Sequence, residues 1–444
     1  MKFNIESTII APIVAHLLSF LLGEDNEEFV GTVSYGASEN AAVVIRPSRF
    51  FDPEIYLTPE SIPQLPLPEL EGVPVLYGEP RITEEQGQTI LHADLIASAF
   101  FLLTRYEECV KREPRDPHGR FPVEQSLPMR AGFLQRPIVE EYAVLLRDLL
   151  RKQGVPVKEP PVGFSRIYLT HDVDHISTWQ GFLPALRSTI KRVALNLPEK
   201  AVPFASLCHL ERDPIYTFPW FLELDSALAA KLPSIPVEQI YFLLGAPRGA
   251  LDDEYLDSER FQKILHLLKS HSVTFGLHNS YQASQDLART AAEKRRIENV
   301  IGAPITYNRS HVLASREPED MRTLVDAGIT NDFTMAYAGH IGFRLGTCRA
   351  VRWIDPLKRE LTPLLLHPMT VMDCTLDSPG YMALPDAESA LAAVTALFRS
   401  IHRYHGEVCL LWHNSSVPTN DMTYQRRLYP MVLNAIADIQ LFSE

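Results

Sequence analysis

Apolar positions along this chain follow two regimes. Up to about residue 158, short apolar runs mix with stretches of helical periodicity, notably 94–109 and 139–152, and a proline-rich connector follows at 155–162. Beyond it, residues 167–174, 239–245, 273–279, 305–311, 328–334 and 408–414 form short runs. Several of these are nearly continuous in apolar residues, as strands covered on both faces are. Segments 259–270, 284–301, 317–327 and 386–404 lie between them with helical spacing. This alternation predicts an α/β fold: a parallel (β/α) barrel, regular or distorted, over residues 161–444, preceded by a smaller α+β domain over residues 1–160 whose role the sequence does not reveal.

Composition narrows the classes of function. The chain has 444 residues, 46% hydrophobic and 22% charged, the proportions of a globular protein with a sizeable core. Its 42 Lys and Arg stand against 55 Asp and Glu, and the resulting net charge of −13 repels phosphate backbones and anionic lipid heads, so nucleic acid is not an expected partner. The five cysteines are scattered, with no Cys-x-x-Cys pair, which points to a reducing compartment. The apolar stretch 9–22 is interrupted by Pro12 and His16 and follows Glu6 without a basic leader, so it reads as a core helix and not as a signal peptide or membrane span. The cytoplasm is the expected location.

In a parallel barrel, chemistry gathers where strands end at their C-terminal tips. The first strand of the barrel ends Thr170-His171-Asp172-Val173-Asp174-His175. Side chains two apart share a strand face, so Asp172 and Asp174 converge on one side while His171 falls on the other. Two close carboxylates ask for a cation or an arginine between them. His278 ends another run, Arg309 and His311 a third, and His413 the last. A hydrogen-bonded structural histidine explains any one of these, but histidines at three strand ends and an Asp pair at a fourth point to a metal or acid–base site.

Thr170-His171-Asp172-Val173-Asp174, then His278 after Gly276-Leu277, then Arg309, then Leu411-Trp412-His413, resembles the ordered motif series of the NodB-homology polysaccharide deacetylases, carbohydrate esterase family 4. The resemblance covers residues 163–444. It implies a distorted (β/α) barrel and a divalent metal, zinc foremost with cobalt or nickel as alternatives. The implied reaction is metal-dependent removal of acetyl groups from N-acetylated sugars. Carried over by position, Asp172 is the general base, Arg309 orients it, Asp174 and His278 are metal ligands, and His413 is the general acid. The family's second metal-binding histidine would fall at 282, where this chain has Gln282, and Arg309 is followed by His311 and Val312 in place of proline and tyrosine. The Val312 N–H remains available to an oxyanion hole, since that role needs no side chain. His311 is the first choice for the third ligand and Gln282 the second, with His171 and His175 as supporting partners.

The segment 339–348 is glycine-bearing and follows Tyr337, so Tyr337 and Arg344 are expected to face substrate; Asp332 and Asp373 both qualify to orient His413. Two other functions compete with the deacetylase. One is a carbohydrate-binding pseudoenzyme left by loss of the second histidine. The other is a metal-independent hydrolase of a small cyclic amide. The sequence identifies neither the sugar nor the oligomeric state.

Overall fold

A computed structural model describes residues 5–196, 201–249, 251–316, 318–420 and 423–442. It divides into two compact units. The first comprises Met1–Phe164, Val312–Thr370 and Arg399–Val408; the second comprises Ser165–His311, Val371–Phe398 and Cys409–Glu444. Residues 312–370 and 399–408 thus group with the N-terminal ones.

In the first unit a four-stranded sheet has the order Val33–Tyr35, Val43–Ile45, Gln88–Ala93, Gly78–Glu85. The helix Leu95–Leu103 is buried along its whole length, and the amphipathic helix Ile138–Lys152 turns Ile138, Tyr142, Leu146 and Leu149 inward. The helix Ile5–Leu22 buries Ile13, Leu17 and Leu21, as a core helix does. Three further strands, Val351–Asp355, Glu360–Pro368 and Asn331–Met335, follow one another in that order. The first of the two pairings is antiparallel and the second parallel.

The second unit is the α/β part, an open, curled sheet with helices between its strands. Its strands are β1 (Arg166–Val173), β2 (Val237–Leu244), β3 (Thr274–Asn279), β4 (Tyr307–Ser310), β5 (Val371–Met372) and, from Cys409 on, β6 (Glu407–Leu411), in the spatial order β4-β3-β2-β1-β6-β5. Helices α1 (Phe182–Ala194), α2 (Phe218–Lys231), α3 (Glu259–Lys269) and α4 (Leu287–Ile301) provide the crossovers that parallel neighbours require. The predicted helix over 317–327 is shorter, Asp320–Asp326, and residue 317 lies outside the described residues.

Register delivers the polar residues to one end. Asp172 pairs with Phe242, Leu244 with His278, and His278 with Arg309. The Gly276 position has a packing reason: a Cβ there would lie 2.4 Å from the Phe242 ring. That ring in turn carries the Arg309 guanidinium 4.6 Å from its centroid. Among the described residues, no helix is long and apolar enough to cross a membrane.

Candidate metal centre and acid–base pair

Strand alternation separates the two sides of the β1 tip. His171 points into packed core: its Nδ1 lies 3.0 Å from the Trp412 carbonyl, its Nε2 2.9 Å from Asp225, and Tyr429 donates to the same carboxylate at 2.6 Å. Asp172 and Asp174 take the opposite side. Arg309 donates from Nη1 to Asp172 Oδ1 at 2.9 Å and to the Thr170 hydroxyl at 2.6 Å, which holds the Asp172 carboxylate in one orientation. The other Asp172 oxygen is 3.6 Å from His278 Nε2.

Asp174, His278 and His311 each offer one ligand atom, all within 4.8 Å of one another. His278 Nδ1 is 2.9 Å from the Arg309 carbonyl, which only accepts, so Nδ1 carries a hydrogen and Nε2 is the ring nitrogen left for a ligand. Nε2 faces Asp174 Oδ1 across 3.1 Å, yet both atoms are buried and neither completes a hydrogen bond. Two buried polar atoms left unpaired face to face are costly unless a proton or cation lies between them.

His311 repeats the arrangement. Its Nδ1 is 2.7 Å from Asp252 Oδ1, leaving Nε2 turned toward Asp174 at 3.7 Å. Burial disfavours the charged imidazole, but Asp174 and Asp252 outweigh it and push His311 up to about 9. Burial likewise works to raise the Asp174 carboxyl, whereas His278, His311 and His413 hold it well below the usual carboxylate range. This one-carboxylate, two-imidazole set, with its ligand atoms converging and its outer nitrogens pinned, fits a divalent metal that displaces the imidazole protons on binding.

His413 stands on the other side of Asp174, with Nε2 3.7 Å from Oδ2. Its Nδ1 lies 2.8 Å from Asp373 Oδ1, and its backbone N–H donates to Asp373 Oδ2 at 2.7 Å. Asp373 is fully buried and also accepts from the Ser416 hydroxyl and the Cys374 N–H. Burial opposes a charged imidazole here, but Asp373 dominates and holds His413 well above the usual imidazole range.

Gln282 is exposed and accepts from Arg289, outside the ligand group. His175 is half-exposed, with Nδ1 3.3 Å from Asp253. Asp332 belongs to the first unit, where Thr334 donates to it, so Asp373 is the carboxylate on His413. Val312 has a left-handed backbone (φ 50°, ψ 25°), and its carbonyl accepts from Arg120.

Tyr337 and Arg344 need correction as substrate-facing residues. Both are buried in the first unit. Arg344 donates from Nη2 to Glu108 at 2.9 and 3.0 Å and from Nη1 to the Ala336 carbonyl at 2.8 Å. The Tyr337 ring lies 5.0 Å beneath its guanidinium and packs against Phe121, Val123 and Leu134. Sequence reasoning missed Asp252. It sits in the segment after β2 without an apolar frame around it, and only the Asp252-Asp253 doublet gave a signal.

Among families, a model described as a family of unknown function, DUF7033, matches residues 5–155. No curated protein matches the chain. Solved structures similar to it include a Mycobacterium smegmatis protein named as a polysaccharide deacetylase, with 13% identity, a TM-score of 0.41, and coverage of 65% of this chain and 88% of that one. PuuE allantoinase follows at 10% identity and a TM-score of 0.38, covering 62% and 87%. A mutant of a CE4-family pseudoenzyme with restored enzymatic activity has 12% identity and a TM-score of 0.29, covering 64% and 66%.

Proposed function

We propose that the chain is a metal-dependent hydrolase that removes acetyl groups from N-acetylated sugars, cleaving an amide C–N bond. The carrying observation is the pair of unsatisfied, buried polar atoms, His278 Nε2 and Asp174 Oδ1, 3.1 Å apart. Asp174, His278 and His311 would hold the metal, with zinc favoured by the mixed nitrogen and oxygen donors and cobalt or nickel as alternatives. Such a metal supplies polarisation of the amide carbonyl and a lowered pKa for the attacking water.

The chain's own groups supply the proton transfers. Asp172, oriented by Arg309, takes the proton from water as its oxygen bonds to the carbonyl carbon. His413, charged and held by Asp373, then gives its proton to the departing nitrogen as the C–N bond breaks, leaving acetate and an amine. The motif resemblance supports a sugar as the carrier of that amide. All five cysteines are free, which supports a reducing compartment such as the cytoplasm.

The test is acetate release from a panel of N-acetylated sugars by metal-supplied protein. Release that Asp172→Asn lowers by at least about 100-fold supports the reading. Loss of metal-dependent release from every sugar in the wild type would favour a binding protein instead.

A further inference from the structure

Helix α1 (Phe182–Ala194) turns its apolar stripe outward. On a helical wheel, Phe182, Leu183, Leu186, Ile190 and Val193 fall within an arc of about 100°. Phe182, Leu183, Ile190 and Val193 are 62%, 63%, 59% and 56% exposed, while Ala185 is the one residue of this helix classed as buried. Surface helices ordinarily face such a stripe to the core, and single exposed apolar residues need no explanation; four on one face do.

Charge indicates what covers this face. From His175 to Pro198 the sequence has no Asp or Glu but carries Arg187, Lys191 and Arg192, in a chain whose net charge is −13. Arg187 and Lys191 are exposed and flank the apolar arc on one side, whereas Arg192 lies 5.9 Å over the Trp179 ring. At physiological ionic strength charges beyond about 8 Å are largely screened, so a surface meeting α1 responds to these local cations more than to the distant acidic excess. A second copy of the chain would bring like charges together at this face.

We propose, independently of the chemistry above, that α1 docks on an anionic lipid surface. It would lie in the interface plane with Phe182, Leu183, Ile190 and Val193 among the acyl chains and Arg187 and Lys191 at the headgroups, the pattern of an interfacial helix.

Flotation of the full chain with vesicles tests this. Binding is expected to phosphatidylcholine vesicles containing phosphatidylglycerol and to be weak to phosphatidylcholine alone. Arg187→Gln with Lys191→Gln should reduce partitioning by roughly 30-fold, taking about 1 kcal/mol per cation. Ile190→Gln with Val193→Gln should abolish it with circular dichroism unchanged, since both positions are exposed. No flotation with anionic vesicles, or flotation that survives the Ile190 and Val193 changes, overturns the proposal. So does concentration-dependent dimerisation that those changes abolish while vesicles are ignored, which would assign the face to a second copy.

Discussion

Asp252 Oδ1 stands 2.7 Å from Nδ1 of His311, and this contact fixes the imidazole so that Nε2 is the nitrogen turned toward Asp174. Where Gln282 replaces an expected histidine, His311 after β4 would supply the donor and Asp252 in the segment after β2 its orientation. Removing the carboxylate should therefore weaken the metal without removing a ligand. Asp252→Asn is expected to lower affinity by about 10- to 100-fold in competition with a chromophoric chelator, with the fold intact. Unchanged affinity would show that His311 needs no such support.

The third ligand is separable from Gln282. His311→Ala should leave most of the protein without metal after purification, whereas Gln282→Ala should retain the wild-type content, because the Gln282 side chain is exposed and engaged by Arg289. Metal analysis showing the opposite order would move the ligand to position 282.

The acid should carry a pH signature. Burial lowers His413 but Asp373 raises it further, so its folded pKa lies above the ordinary imidazole value near 6.5. The protonated, proton-donating form then persists to higher pH, and activity is lost as pH rises through that raised value. Asp373→Asn should shift this alkaline limb of kcat to lower pH, and His413→Ala should cost on the order of 10² to 10⁴ in rate. A limb that stays in place in Asp373→Asn would detach Asp373 from this role.

Arg344 should behave as a structural residue. Glu108 is held down to about 2 because Arg105 and Arg344 outweigh its burial, and breaking one side of such a buried ion pair costs about 3 to 5 kcal/mol. With Arg105 still at 2.5 Å from Glu108, Arg344→Met is expected near the lower end in chemical denaturation. Unaltered stability together with a raised KM for an acetylated sugar would restore Arg344 to the substrate.

The parts that could be read in advance were those governed by local periodicity. The two-residue repeat placed Asp172 and Asp174 on one face and His171 on the other, and the tip position of His278 followed from the apolar run before it. His311 is a candidate because it follows a strand that neighbours that of His278. Asp252 was not legible, since its role depends on a loop path that no periodicity describes. Tyr337 and Arg344 misled for a related reason: a glycine-bearing segment reads as a loop open to ligands, and only tertiary packing reveals that Glu108 takes the guanidinium. The grouping of residues 312–370 with the N-terminal unit is likewise long-range and leaves no local trace.

The central claim is that Asp174 and His278 share a divalent cation, and metal content after purification without added metal tests it most directly. The account predicts close to one equivalent in the wild type and little in His278→Ala, with both folded. Equal metal in the two proteins would contradict it.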